Sequence, residues 1–528
     1  MPSNRRFPLS RAACAALAAL LGTSLAQAES ANANLTGILA LGSVASAGVN
    51  VRGDLLLASD GNFYVAASAG GASSVGSILQ ITPAGTATIV HSLAGADTEG
   101  AAPYSGLIQA SDGLLYGTTY LGGTKNLGAV YKVTTSGTYT NLFSFTNESQ
   151  GGFFPYTGLM QLSGGGDLYG TTLRGGANDA GTIYKLTLAG ALTTVYTFNG
   201  TDGQNPEGRL VQGPDGALYG TTLIGGAADR GTIYRLTTAG ALTTLYSFPA
   251  LGNFNTAGVA TNATGANPRS GLTLGSDGNF YGTTYQGGSV GYGTVYRVTP
   301  TGSVTVLHNF AGAPGDGAYP LATVSQGPDG SLVGTTEKGG SGGHGVTWRI
   351  DPAGNYKVLH PFTSLSVDGN VSYATLLPLN GYYYGISFND LTYAGGSLFR
   401  LELPVSGSLP VTLSTSQDSI VLGAPVTLTW SSPTATACTT AGAWAGTTVA
   451  TSGTLAVTPT AAGIYTYILS CVDGANVTRN AYAALTVTTP AAQPVDGGGT
   501  GGGGALGGAA LALLGGALAF TVRQRRRA

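Results

Sequence analysis

Charge is what this chain of 528 residues has least of: Asp, Glu, Lys and Arg together make up 9% of it, against about 25% in an ordinary soluble protein. Lysine and glutamate are scarce and methionine occurs only twice, beside 87 glycines. Glycine costs a helix about 1 kcal/mol per interior position, so long helical architectures are excluded. No Gly-X-Y period runs through the chain, which excludes a collagen-like fibre. The 43% hydrophobic content and 27 tyrosines supply a real core and exclude general disorder.

The charge that exists is unevenly placed. The formal net charge is −2, but Arg5, Arg6, Arg11, Arg523, Arg525, Arg526 and Arg527 lie in the terminal segments. Without these seven, 15 basic residues face 24 acidic ones, and the body carries −9. A nucleic-acid partner needs the opposite sign on one face and is excluded.

Both ends read as addresses. Residues 1–28 form a secretory signal peptide: three arginines, an apolar stretch from Ala12 to Leu25, and the small-residue cleavage pattern Ala26-Gln27-Ala28. Signal peptidase is the implied partner, with the mature chain starting at Glu29. Arg5-Arg6 invites a twin-arginine reading, but its surroundings fit general export better. Cys14 is lost with the signal. At the other end, residues 490–504 form a glycine-rich linker, and residues 505–522 are 18 positions without a charge. That is just enough to span a bilayer as a helix, with the arginines on the cytoplasmic side. A permanent single-pass anchor is one reading. The glycine run ending in Gly501, Gly502, Gly503 and Gly504, followed by the apolar segment and Arg523, Arg525, Arg526 and Arg527, also resembles GlyGly-CTERM sorting signals of Gram-negative bacteria. That resemblance implies processing by a rhombosortase-like protease and delivery to the cell surface or medium, with transient anchoring in the inner membrane.

Between the ends the sequence repeats. Tyr116-Gly-Thr-Thr119 recurs from Tyr169, Tyr219 and Tyr281, with degenerate copies at Tyr64, Val333 and Tyr384. The intervals are 52, 53, 50, 62, 52 and 51 residues. Within one copy, Gly106–Gln109, Leu115–Tyr120, Gly128–Val133 and Tyr139–Phe145 read as short strands separated by Gly-containing turns. Four antiparallel strands repeated seven times predict an all-β, seven-bladed β-propeller over residues 29–403, with an open solenoid as the alternative. Leu35–Leu41 looks like a fourth strand for the last copy, which ends at its third, Ser397–Leu403. Pairing them would leave no raw sheet edge. The pattern Asp-Gly, two residues, Tyr-Gly-Thr-Thr, a glycine pair and Gly-Thr-Ile/Val-Tyr, complete at 215–234 and 277–296, is similar to the "choice-of-anchor tandem repeat GloVer-containing" proteins. The resemblance covers about 50–400 and implies no defined reaction.

Residues 404–410 read as a linker, and 411–489 keep short alternating strands without the repeat. Trp430, Cys438, Trp444 and Cys471 resemble the pattern of bacterial immunoglobulin-like β-sandwich modules, although here the first tryptophan precedes the first cysteine. In an exported domain, Cys438 and Cys471 are expected to form a disulfide, since two cysteines without a nearby histidine make no zinc site. A spacer role follows.

No catalytic constellation emerges. His91, His308 and His360 share one repeat position with Phe143, Tyr196 and Tyr246, which reads as packing, and His344 has no evident base or nucleophile. The aspartates of the Asp-Gly turns (Asp60, Asp112, Asp215, Asp277, Asp329) are explained by local backbone hydrogen bonds. Asp97, Glu99, Glu148, Asp202, Asp316 and Asp368 fall in the loops joining one repeat to the next. They would ring the mouth of a propeller channel, where they could hold Ca²⁺ or a glycan, or simply form a solvated rim. An insertion near Leu251–Gly265 lies in the same set of loops, and Phe153, Phe154 and Phe254 are candidate sugar-stacking residues. The reading that results is an exported, non-catalytic surface-binding protein with a glycan or protein ligand. A secreted polysaccharide-active enzyme and a structural surface-layer component are the alternatives.

Overall fold

The computed structural model describes residues 34–41, 49–83, 85–95, 98–146, 152–362, 374–379, 382–387, 396–402, 411–417, 419–433, 435–444, 447–461, 463–472 and 478–488. These are all-β, with no α-helix among them. The signal peptide, the 404–410 linker and everything from 489 onward, including the expected sorting tail, lie outside the described residues. No helix among the described residues is long and apolar enough to cross a membrane.

Seven antiparallel sheets, each built on four strands, follow the seven copies of the repeat. The second is typical: Ile108–Gln109, Leu115–Thr119, Ala129–Val133 and Tyr139–Ser144, hydrogen-bonded in that order. Its second and third strands are almost wholly buried, and the fourth is half-buried. In the seventh sheet, Leu377–Leu379, Tyr382–Ser387 and Ser397–Glu402 come from the last copy. Its fourth strand is Asn34–Ala40, which pairs antiparallel with Ser397–Glu402 from the far end of the array.

Each sheet packs face to face on the next. Alternate residues of one strand serve different neighbours, as the two-residue period of a strand dictates. Leu115 and Tyr131 join a core with Tyr64 and Ile78 of the first sheet, whereas Tyr116 and Val130 join Leu168 and Tyr184 of the third. The same exchange continues through the fourth, fifth and sixth sheets. It then joins the sixth to the seventh through Val333 and Phe399, and the seventh to the first through Leu398 and Phe63.

Polar contacts repeat with the same period. In four copies a first-strand glutamine accepts a hydrogen bond from the preceding copy's turn, as when Ser59 N–H donates to Gln109 Oε1 at 2.8 Å. The first motif threonine ties its strand to the next copy: Thr118 Oγ1 donates to the Thr157 carbonyl at 3.1 Å and Thr221 Oγ1 to that of Ser270 at 2.8 Å. Six copies carry a bulge between third and fourth strands at one position, as at Val130/Tyr131. A bulge adds local twist where sheets must rotate against each other.

The motif glycine has a steric cause. A Cβ on Gly117 would stand 2.5 Å from Tyr131 Oη and 2.6 Å from its Cζ, and Gly282 meets Tyr296 in the same way. The third-strand aromatic therefore lies across the glycine of the second strand.

Residues 411–488 form a separate pair of sheets. Thr412–Thr415, Val426–Ser431 and Ser452–Val457 make one. Ser419–Val421, Thr478–Thr488, Gly463–Val472, Ala437–Gly442 and Thr448–Val449 make the other, with Ser419–Val421 parallel to its neighbour. Both close on one core containing Trp430, Trp444, Tyr467 and Leu485. Trp430 meets Trp444 edge-on at 4.9 Å and donates its indole N–H to the Ala450 carbonyl. Cys438 and Cys471 form a disulfide within the five-stranded sheet, joining directly opposed residues of adjacent strands. With the two cysteines 33 positions apart, the loop closure stabilises the module by about 3–4 kcal/mol.

Gly117→Ala is expected to lower stability by about 1–3 kcal/mol through overpacking, read as a fall in melting temperature. Tyr131 Oη is buried with no hydrogen-bond partner among the described residues, and Phe399 already fills the equivalent place in the seventh sheet. Tyr131→Phe is therefore expected to be neutral or to stabilise by about 1 kcal/mol. A loss above 1 kcal/mol would mean that the hydroxyl has a bound partner.

Candidate binding site where the seven sheets converge

The chain enters each first strand through a short segment, and these segments meet around one cavity of about 130 Å³ lined by residues of all seven copies. One repeat position, three residues before the buried leucine of the first strand, carries Arg52, Tyr104, Tyr156, Glu207, Arg269 and Leu321. Two residues further on stand Asp54 and Arg209, where other copies place Gly106, Gly158, Gly271, Thr323 or Thr375. The scaffold repeats here and the side chains do not.

Asp54 accepts a hydrogen bond from the Thr375 backbone N–H at 2.7 Å, which ties the first copy to the seventh. Arg52 lies over the Tyr104 ring, 5.0 Å from its centre. Arg269 Nε is 3.8 Å from Glu207 Oε2, and its guanidinium also covers the Tyr285 ring at 4.8 Å. Burial holds the Glu207 carboxyl above its ordinary value, partly offset by Arg269. Burial likewise pulls the Arg209 guanidinium down, opposed by the Asp54 charge. Arg209 is exposed to solvent and lines the cavity. It also lines a second cavity with Gln109, Gln161 and Met160.

The segment leading into the cavity is bent in the same way each time. Asn50, Ala102, Phe154, Asn205, Asn267 and Tyr319 occupy one repeat position, and all have φ between 53° and 65°. Asparagine tolerates this left-handed region, but bulky residues there are outliers costing about 1–2 kcal/mol. In the two aromatic cases the ring joins a cluster: Phe154 stacks on Tyr120 at 4.8 Å, and Tyr319 lies 5.1 Å from Tyr285. Tyr104 and Tyr156 extend the first cluster, 5.8 Å apart. All of these rings are half-buried.

The family profile of the Gloeobacter/Verrucomicrobia repeat matches residues 50–264 and 249–454. The chain belongs to this repeat family. No curated protein matches it. Among solved structures it is similar to the extracellular domain of a one-component system from B. thetaiotaomicron, at 10% identity and a TM-score of 0.43, covering 88% of this chain and 59% of that one. The extracellular domain of a hybrid two-component system from the same organism gives 11% and 0.45, covering 87% and 58%. Puromycin hydrolase gives 11% and 0.38, covering 86% and 62%. The chain thus spans about three-fifths of the length of each.

Of the six loop carboxylates expected to share a face, Asp97, Glu148 and Asp368 lie outside the described residues. The other three are committed separately, Glu99 and Asp202 to the strand just before their loop and Asp316 to the fourth strands of two successive sheets. Glu99 meets His91 Nε2 at 3.2 Å and accepts from Ala94 N–H. Asp202 accepts from Tyr196 Oη at 2.6 Å and from Asn199 N–H. Asp316 meets His308 Nε2 at 2.9 Å and accepts from Tyr356 Oη at 2.5 Å. No group of three metal-ligating side chains occurs among the described residues. His91 and His308 thus do more than pack, since each fastens a loop while stacking on Tyr139 and Tyr356. The turn aspartates bond locally and also accept from the motif tyrosine, as Asp112 does from Tyr116 Oη at 2.6 Å, which accounts for the Asp-Gly-x-x-Tyr spacing. Phe153 packs against the core between the second and third sheets, Phe154 joins the aromatic cluster, and Phe254 stands 72% exposed on an inserted hairpin. Sequence reasoning missed Arg52, Asp54, Glu207, Arg209 and Arg269. The available signal was their shared register, which only an alignment of the seven copies on the first strand brings out.

Burial alone would raise the Asp316 carboxyl, but hydrogen bonds from His308, Tyr356 and Ala311 N–H outweigh it and hold it below 3.8. A depressed folded value stabilises above the unfolded value and loses that contribution as pH falls through the folded one. Asp316→Asn is therefore expected to cost about 1–2 kcal/mol at pH 7. The gap from the parent should narrow as pH drops below 3.8. A gap in melting temperature that does not change with pH would contradict this.

Proposed function

We propose that this repeat protein is an exported, surface-directed binding protein without catalytic activity. In this reading the seven sheets are the blades of a closed propeller, residues 411–489 are an immunoglobulin-like spacer, and signal peptidase and a rhombosortase-like protease process the ends. The observation that carries it is the cavity, where all seven copies converge and abandon the repeat for charged and aromatic side chains. A scaffold that repeats its strands and turns, yet varies the side chains lining a concave site, is suited to recognition. Binding of a glycan or protein ligand at that mouth is the function the geometry supports best.

One observation favours the alternative of a polysaccharide-active enzyme: Asp54 and Glu207 are non-repeating carboxylates in the same cavity as Tyr104 and Tyr156. Against it, Asp54 is held by a backbone N–H and Glu207 faces Arg269. Both described carboxylates of the cavity are thus already engaged.

The test is a glycan array probed with the secreted mature protein, with and without Ca²⁺, followed by chromatography of each bound polysaccharide after prolonged incubation. Retention without new chain ends is expected, with Tyr156→Ala weakening it at least tenfold. Cleavage of a bound polysaccharide would overturn the non-catalytic reading. Intact mass of the secreted protein is expected to begin at Glu29 and to lack the arginine cluster.

A further inference from the structure

We propose that the cavity recognises an acidic saccharide, a sugar bearing a carboxylate or sulfate that is drawn to Arg209 while its ring lies against the neighbouring tyrosines. This rests on the binding-site reading above and adds the chemical class of ligand.

The argument begins with what Arg209 lacks. Among the described residues its guanidinium has no ion pair within 4.0 Å and no hydrogen bond, although protein surrounds it. The nearest described carboxylate to influence it, Asp54, is already bonded to Thr375 N–H. A solvent-facing guanidinium that lines a cavity without an ion pair or hydrogen bond of its own is a ready receptor for a planar anion, which it grips through two parallel N–H donors. Its space is made by the same position in the other copies. A Cβ on Gly158 would stand 3.7 Å from Arg209 Cδ, and Gly271 presses against the Arg209 backbone.

Charge placement points the same way. Arg52, Arg209 and Arg269 put three of the 15 basic residues outside the termini into one cavity, against Asp54 and Glu207. The surrounding body carries the opposite sign, so the local excess of one cation is not a by-product of overall composition. A cavity of about 130 Å³ admits several waters or a compact anionic group rather than a whole ligand. The remainder of the ligand must lie at the mouth, where Tyr104, Tyr120 and Tyr156 form a half-buried cluster with apolar faces and polar tips. Such a surface suits the C–H face and hydroxyls of a sugar ring better than an extended acidic peptide.

The test is calorimetric titration of the mature protein with oligogalacturonate, its methyl ester, a sulfated carrageenan oligosaccharide and poly-glutamate. Binding to oligogalacturonate or the sulfated sugar is expected, weakening with added salt, and at least tenfold weaker for the methyl ester and for poly-glutamate. Arg209→Gln should reduce binding at least tenfold with the melting temperature kept or raised, and Arg209→Lys should retain part of it. Equal binding of ester and acid, undiminished binding by Arg209→Gln, or preference for poly-glutamate would each overturn the proposal, as would no binding to either acidic sugar. If neutral glycans bind and Tyr104→Ala abolishes that binding, the binding-site reading stands and the acidic ligand class alone fails. If no ligand's binding responds to changes in the cavity, both fail.

Discussion

Every strand in the repeat array is short, and the repeat's second and third strands are apolar on both sides, so neither face of a sheet can be left in water. That constraint governs the rest. Leu115 and Tyr116 are neighbours in sequence, yet one is buried against the first sheet and the other against the third. Each sheet needs two partners, and a series in which every member needs two has no terminal member. The strand Asn34–Ala40 completes the seventh sheet, and the seventh sheet then packs on the first. Burial on both faces also explains the poverty in charge. Little beyond the fourth strands, the turns and loops and one position of each third strand, such as Lys185 or Arg235, meets water, so few positions can carry a charge without a desolvation cost.

The repeat was legible because each of its letters answers to a local cause. The turn aspartate accepts from the motif tyrosine, as at Asp277 and Tyr281. The glycine yields to the next strand's aromatic, and the second threonine meets its counterpart across the sheet, as Thr222 does Thr232 at 2.8 Å. Causes that recur every 50 residues or so leave a period that a single sequence reveals. The cysteine pair was legible for a different reason, since the module holds only these two thiols and no neighbouring histidine. Its place within one sheet could not be foreseen, because spacing says nothing about which strands are neighbours.

The site was not legible in the same way. Charge alone drew attention to the interrepeat loops, and Glu99, Asp202 and Asp316 prove to be fasteners, each spent on a histidine or tyrosine of a fourth strand. Arg209 sits in Asn205-Pro-Glu-Gly-Arg209, a segment with no motif and no neighbouring histidine or cysteine. It shares a cavity with Asp54, about three copies earlier in the chain, only because the sheets converge.

The strained backbone and the cavity are connected. The left-handed residue turns the chain inward just before the first strand. In four copies it is asparagine or alanine, which bear that conformation at modest cost. In the other two it is Phe154 or Tyr319, residues poorly suited to it, and both rings are among those gathered near the cavity. A fold stabilised mainly by repetition would be served better by asparagine throughout. It would also be served better by glycine or threonine at Arg209. Both departures sacrifice stability at the same end of the sheets, and both place side chains with recognition chemistry there. Departures from the repeat that coincide at one cavity are what a proposed recognition site would require, since side chains that serve a ligand are not those that serve the fold best.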